Sequence, residues 1–416
     1  MLFSDFSLSS SIQHKIKLKG FSEPTLIQEK VIPLVLDKKD VMVQAQTGSG
    51  KSASFVLPMV ELLARETYEG KAKIRALVLA PTRELTSQVA EIFTEFAPKR
   101  LKVVSVIGGE QLGSQMSAIQ KGCDIVVATS GRLLEIIRKG QINLSHIEFF
   151  VLDEADKMLG LGFAEELELL LKEMPSSRQN LLFSATYPQK VLNIASRITN
   201  DAIDVSIESH APTVQSIVQR VIEVNRESRG PLLRYLLETH DWEQVLVFMA
   251  NKRAADNIAA KFRKYGFLAD SFHGDLPQEE RTYTMKAFKA KKFRILFATD
   301  IAGRGLDIDD ISCVINFDLP RSPADYIHRI GRTGRAGKSG VAISFIDHED
   351  QAHFRLIEKR SQIKLDHEQV EGFELKGEAP KKVKGPAPVK GKGKSKKDKA
   401  REKAREKDSA SSRKEV

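Results

Sequence analysis

Three acidic residues crowd one point of the chain: the apolar run Phe149–Leu152 ends in Asp153 and Glu154, and Asp156 follows, in the string "FVLDEADKML". Carboxylates this close repel one another. Either they meet a helix N-terminus, whose partial positive charge favours acids, or they gather round a cation used on an anion. A site for the anion lies upstream in "AQTGSGKS" (45–52). Ala45 stands where the generic phosphate-loop pattern has Gly, but the working parts are present. Gly48 and Gly50 let backbone N–H groups curl round phosphate oxygens, and the following helix N-terminus adds positive charge. Lys51 can reach the β- and γ-phosphates, and the Ser52 hydroxyl can ligate Mg²⁺. Asp153 then also holds Mg²⁺, in part through water, and Glu154 orients or deprotonates the attacking water. Transfer of a phosphoryl group from a nucleoside triphosphate needs positioning and charge neutralisation rather than covalent help. Asp156 is expected to tie this cluster to a neighbouring strand end, with Ser184 and Thr186 of "SAT" (184–186) as its partners. Far downstream, "HRIGRTGRAG" (328–337) offers Arg332 and Arg335 to stabilise transition-state charge; an arginine finger is worth roughly 10³–10⁵ in rate.

These residues need a scaffold that brings strand ends together. Short apolar runs read as strands: "DVMVQA" (40–45), "RALVLAPT" (75–82), "KVVSVIGG" (102–109), "DIVVATS" (124–130), "FFVLDEA" (149–155) and "NLLFSAT" (180–186). They are continuous rather than alternating, as in parallel sheets buried on both faces. Helical patterns such as "TRELTSQVAEIFTEFA" and "FAEELELLLKEM" lie between them, which predicts an α/β fold. After a break at 206–216 the alternation restarts with "QVLVFMANK", "FRILFATDIAG", "CVINFDLP" and "GVAISFID". Two α/β domains are expected, at 1–205 and 217–370, joined by a linker at 206–216.

The 416 residues carry a net charge of +10, and residues 380–416 hold 12 Lys and 3 Arg against 5 acidic residues, so the whole excess lies there. The segment 371–416 has almost no large apolar side chain and is expected to be a disordered basic tail drawn to a polyanion. Any nucleic-acid site on the balanced remainder must be local. The two cysteines, Cys123 and Cys313, lack CxxC spacing; buried thiols in a reducing compartment are expected, with no disulfide framework and no metal cluster. Neither a signal peptide nor a membrane span is apparent.

"AQTGSGKS", "DEAD", "SAT" and "HRIGRTGR", in this order, resemble the DEAD-box RNA helicases of superfamily 2, and bacterial members most. The resemblance runs from about Phe3 to about Lys364. It implies two tandem RecA-like domains with parallel sheets, ahead of the basic tail. It also implies roles for further residues. "GFSEPTLIQ" (20–28) is similar to the family's adenine motif: Phe21 would support the base, with Phe3 either nearby or simply in the core, and Gln28 would bond the adenine edge. Ala45, Gln46, Thr47, Gly48, Ser49, Gly50, Lys51 and Ser52 would line the nucleotide, joined from the second half by Gly305 and Asp307 of "ATDIAGRGLDI" (298–308). RNA would be met by Pro81, Thr82 and Arg83 of "PTREL", Gly109 of "GG", Thr129, Gly131 and Arg132 of "TSGR", Gly274, Gln278 and Arg281 of "HGDLPQEER", and Thr299. His328 would help couple the two sites. Departures are few: Ser52 stands where Thr is common, Ser130 where Pro is usual, and Gly303 where Ala is more common.

The resemblance implies an ATP- and Mg²⁺-dependent enzyme that couples RNA-stimulated hydrolysis to local, non-processive separation of short duplexes or to remodelling of RNA–protein complexes. A cytoplasmic monomer acting on single-stranded RNA and short duplexes is expected, with ribosomal or RNA-decay proteins as candidate partners. Two rivals are an ATP-dependent RNA clamp and a DNA translocase of the same superfamily.

Overall fold

The structure, a computed structural model, describes residues 1–45, 49–65, 71–207, 217–300, 311–334 and 339–378. Gln46, Thr47, Gly48, Gly305, Asp307, Arg335, most of the expected linker and the basic tail from 379 lie outside the described residues.

Two seven-stranded sheets, parallel throughout, organise the described chain. The first comprises β1 (Val41–Gln44), β2 (Ala76–Leu79), β3 (Val103–Val106), β4 (Ile125–Ala128), β5 (Phe149–Leu152), β6 (Gln179–Ser184) and β7 (Ile203–Ser206), in the order β3-β4-β2-β5-β6-β1-β7. The second comprises β8 (Ile217–Glu223), β9 (Val245–Met249), β10 (Ala269–Phe272), β11 (Ile295–Thr299), β12 (Cys313–Asn316), β13 (Gly340–Ile346) and β14 (His367–Glu368), in the order β10-β11-β9-β12-β13-β8-β14. The helices of the first half are α1 (Ser10–Leu18), α2 (Leu26–Leu36), α3 (Lys51–Arg65), α4 (Arg83–Phe96), α5 (Leu112–Gln120), α6 (Ser130–Arg138), α7 (Ala155–Gly160), α8 (Ala164–Lys172) and α9 (Gln189–Ile198).

Strands β2, β4, β5 and β6 are buried along their whole length. Their alternate side chains enter separate apolar cores on the two faces of the sheet: Val78, Val127, Val151 and Phe183 on one, Leu77, Val126, Phe150 and Leu182 on the other. The unbroken apolar runs follow from this double burial. Because the strands are parallel, every C-terminal end lies along one edge of the sheet, where α/β folds gather their ligand-binding loops.

Phe3 is a core residue, packed edge-on to Phe6 with ring centroids 6.1 Å apart. Both cysteines are buried, and burial pushes the Cys123 thiol up to about 12. Residues 371–376, expected in the tail, instead stay packed: Phe373 lies against the second core and the Tyr235 ring, and Lys376 N–H donates to Asn225 Oδ1 at 2.8 Å. Phe373 and the paired Asn225 amide hold this segment down in spite of its polar composition. No described helix is long and apolar enough to cross a membrane.

Candidate active site

The order β2-β5-β6-β1 places the phosphate loop, the acidic cluster and "SAT" on neighbouring strand ends. Ala45 N–H donates to Ser184 O at 3.1 Å, and Asp153 N–H to Leu79 O at 2.9 Å. Lys51 opens α3, is buried, and donates from Nζ to Ala45 O at 2.9 Å, folding back over the loop it follows. Ser49, Gly50 and Ser52 are partly exposed beside it. Gly50 has a φ of +89°, and a Cβ there would stand 2.6 Å from Gln28 Nε2 and 2.9 Å from Thr25 Oγ1. Glycine is therefore a steric requirement as well as a conformational one.

Gln28 is committed at both ends of its amide. Its Oε1 accepts from Thr25 N–H at 3.0 Å in a capping box that starts α2, and its Nε2 donates to Gly50 O at 3.2 Å. The structure thus fastens Gln28 to the phosphate loop. Phe21 is 51% exposed, free for contact with a flat ring.

Asp153 and Glu154 are almost fully buried. Burial pushes the Asp153 carboxyl up to about 6, against the pull of Lys51. Burial pushes Glu154 the same way, but the Lys157 and Lys51 ammoniums outweigh it and hold this carboxyl below its usual range. Glu154 Oε1 accepts from Lys157 Nζ at 2.6 Å, while Oε2 is buried without a hydrogen-bond partner. Glu154 also adopts a left-handed backbone, φ 51° and ψ 49°, a strained conformation of the kind that clusters at functional sites. Lys157 is a site residue that the motif strings did not single out.

Asp156 and "SAT" meet as expected. Asp156 N–H donates to Ser184 Oγ at 3.2 Å, and Thr186 donates to Asp156 Oδ2 from its N–H at 3.1 Å and its hydroxyl at 2.8 Å. From the second domain, buried Arg332 stands near enough for its charge to act on Glu154, Lys157 and His328. Burial, then the Lys157 charge, push His328 down to about 3, so its ring is neutral.

The residues expected on RNA divide into three groups. Gly131 and Gly274 are exposed, and Thr129 and Thr299 partly so, at strand ends or helix starts. Arg132 is mostly covered, bonded to Glu110 O at 3.0 Å and paired with Glu135 at 3.2 Å. Pro81 is buried, and so is Thr82, whose hydroxyl is used as the α4 cap, accepting from Leu85 N–H at 3.2 Å. Three others contact one another or a neighbour across the two domains. Arg83 Nη1 donates to Gln278 Oε1 at 3.3 Å, and buried Arg281 lies 2.5 Å from Glu84 and 5.3 Å from the Phe272 ring centroid. The Arg281 contact is one of charge, since neither Glu84 oxygen makes a directed hydrogen bond. Gly109, with φ +85°, gives Arg83 its space; a Cβ there would stand 2.4 Å from Arg83 Nη1. Glu84 was not singled out in the sequence, because nothing local marks it. Arg329 is similarly inconspicuous among its neighbours: buried, it forks onto Asp300 at 2.6 and 2.8 Å and bonds Asn316 and Asp318 O.

Two family models match this layout. Residues 25–194 match the DEAD/DEAH box helicase model and residues 229–337 the helicase conserved C-terminal domain. The DEAD-box ATP-dependent RNA helicase CshA of Bacillus subtilis is 42% identical over 365 residues, 88% of this chain and 73% of that protein. This chain belongs to the DEAD-box helicases. Among solved structures, a DEAD box protein from the hyperthermophile Methanococcus jannaschii is 42% identical, with 88% of this chain and 99% of that one covered and a TM-score of 0.52. Dbp5 of S. cerevisiae, bound to RNA and ADP BeF3, is 30% identical, with 88% and 95% covered and a TM-score of 0.79. The two sheets of this DEAD-box protein are therefore tandem RecA-like domains.

Proposed function

We propose that this DEAD-box chain is an RNA-stimulated ATPase that couples hydrolysis to local, non-processive separation of short RNA duplexes or to remodelling of RNA–protein complexes. The observation that carries this reading is the convergence of Glu154 and Lys51 from one domain with Arg332 from the other. A hydrolytic site divided between domains is complete only when the domains close. The TM-scores liken the domain placement to that of the RNA-bound neighbour. Dbp5 bound to RNA and ADP BeF3 superposes better than the M. jannaschii protein despite lower identity, 0.79 against 0.52. For chains sharing both domains, that inversion points to domain placement rather than domain fold.

Residues 1–205 and 217–376 are assigned to the two domains, with 206–216 as linker and the tail from Gly377. The loop from Ala45 to Ser52 holds the triphosphate, with Lys51 on the β- and γ-phosphates; Gly305 and Asp307, outside the described residues, are the nucleotide contacts assigned to the second domain. Phe21 and Gln28 take the adenine. Because Gln28 is bonded to Gly50, occupancy of the base site is felt in the phosphate loop. The Ser52 hydroxyl and the buried Asp153 carboxylate are hard oxygen donors at neighbouring strand ends, so the set fits Mg²⁺. Mg²⁺ held there would neutralise charge on the β- and γ-phosphates. Glu154 orients or deprotonates the attacking water through the carboxylate oxygen that Lys157 leaves free. Arg332, with Arg335, steadies the charge spread over the transferring group. Asp156, Ser184, Thr186 and neutral His328 link this chemistry to the RNA surface. There Pro81, Thr82, Gly109, Thr129, Gly131, Arg132, Gly274 and Thr299 track one strand through its backbone, which fixes position without reading sequence. Arg83, Gln278 and Arg281 hold the domains shut around it. The protein is expected to be a cytoplasmic monomer, with ribosomal or RNA-decay proteins as partners.

Steady-state ATP hydrolysis with no nucleic acid, with single-stranded RNA and with matching DNA tests the proposal. Stimulation by RNA alone, lost in Lys51→Ala, is the expected result. Equal stimulation by DNA would indicate a general nucleic-acid translocase. RNA binding without stimulation would indicate a clamp.

A further inference from the structure

The turn Thr129–Arg132, assigned above to RNA, carries Ser130 at the place where the family resemblance implies proline. Proline at this place would lock φ and stiffen the first turn of α6. Serine has no such ring, yet the turn is fixed by another route. Ser130 is 2% exposed and donates its hydroxyl to Glu166 Oε2 at 2.5 Å. Glu166 belongs to α8, which packs on α6. Its other oxygen is the nearest atom to where a Gly131 Cβ would stand, at 3.9 Å, so the carboxylate sits beside the start of α6. The carboxylate also faces the positive end of that helix. The rest of the turn is braced at both sides. Thr129 N–H donates to Val106 O at 3.0 Å, and Arg132 is held by Glu110 O and Glu135.

We infer that the Ser130–Glu166 hydrogen bond replaces the proline ring, holding the Thr129–Arg132 turn in the conformation that receives an RNA phosphate. Ser130 and Glu166 are positioning residues, and the inference rests on the assignment of Thr129, Gly131 and Arg132 to RNA. A buried hydroxyl bonded to a carboxylate is a strong tether. It acts from the side of α6 that faces α8, leaving Gly131 exposed for the ligand. The backbone has kept the form that proline would need. Thr129 lies at φ −87° and ψ 140°, a conformation favoured before proline, and Ser130 is the first residue of the helix.

The test is the RNA concentration for half-maximal stimulation of ATP hydrolysis, measured on the full-length protein with a single-stranded RNA. Ser130→Ala should raise it about five-fold, the effect of losing roughly 1 kcal/mol, with kcat at saturating RNA and KM for ATP unchanged. Glu166→Ala should do the same, and the double variant should be no worse than either alone. Ser130→Pro should restore the original value, even in the Glu166→Ala background. A general loss of fold would lower kcat and would not be rescued by proline. Half-saturation unchanged in Ser130→Ala, or tighter RNA binding in Glu166→Ala, would overturn the inference; the latter would make the carboxylate a competitor of phosphate. Arg132→Ala separates the two levels of the argument. If it too leaves half-saturation unchanged, the RNA assignment of the turn has failed; if it weakens RNA while Ser130→Ala does not, only the tether has.

Discussion

Replacing Glu84 by Ala should cripple the response to RNA although Glu84 touches neither the phosphate loop nor the acidic cluster. Glu84 and Arg281 face each other across the two domains at 2.5 Å, with side chains 9% and 5% exposed. Loss of one member of a buried ion pair typically costs about 3–5 kcal/mol, because the other charge is left unpaired in a poor solvent. Here the protein has an escape: opening the domains returns Arg281 to water. The cost therefore appears as a penalty on closure, and a penalty of about 2–3 kcal/mol raises the RNA concentration for half-maximal stimulation about 30- to 150-fold. ATP binding without RNA should be unchanged, since it does not need closure. The decisive variant is Glu84→Ala combined with Arg281→Met. An apolar pair of similar bulk is often as stable as a buried ion pair, so the double variant should recover most of the loss. If Arg281 instead served RNA directly, the double variant would be as damaging as Arg281→Met alone and would recover nothing. An unchanged half-saturation in Glu84→Ala would refute the closure argument outright. Titration of ATPase rate against RNA for the four proteins distinguishes these outcomes.

Gly109→Ala should raise the RNA half-saturation about ten-fold, since the new methyl collides with Arg83 and the positive φ adds about 1–2 kcal/mol of strain; ATP affinity measured by calorimetry should stay the same. His328 gives a pH signature. Its folded value, about 3, lies below the unfolded 6.5, so between these values only the unfolded chain takes up the proton. Stability is thus full above 6.5 and falls with pH toward 3, by up to about 1.4 kcal/mol per unit; in urea melts at pH 7 and pH 5, His328→Gln should lose less than the parent. Deletion of residues 380–416 removes 12 Lys and 3 Arg and should weaken RNA binding and flatten its salt dependence; equal affinity at low and high salt would leave the tail a solubiliser.

What the sequence made legible tracks how locally each feature is determined. Buried central strands advertise themselves as unbroken apolar runs, and β1, β2, β4, β5, β6, β9, β11, β12 and β13, together with the edge strand β3, all lie within runs read as strands from the sequence. Strands β7, β8, β10 and β14 were missed. β7 and β14 are sheet edges with mostly uncovered side chains, β8 carries exposed and half-exposed positions between its buried ones, and β10 reads "ADSF". Such strands owe their existence to partners distant in sequence. The same limit applied to the site. Residues contributed by one loop could be read from that loop, as with Lys51 and the acidic cluster. The Arg83–Gln278 bond joins positions 195 apart, and Glu84 and Arg281 carry no local mark of their pairing.

The glycines show where local legibility ends. Gly50 and Gly109 stand out by their spacing, and the obvious reason is backbone freedom in a tight loop. The closer reason differs at each. At Gly50 the space of a side chain is taken by Gln28 and Thr25 from the adenine motif, and at Gly109 by the Arg83 guanidinium. Each glycine is thus half of a contact whose other half is a motif upstream. Through Gly50 the proposed base site touches the phosphate loop; through Gly109 the arginine that reaches Gln278 in the second domain is seated. Strings that look like separate motifs are therefore complementary surfaces. The steric demand one makes on another is a direct physical means by which nucleotide and RNA can report on each other.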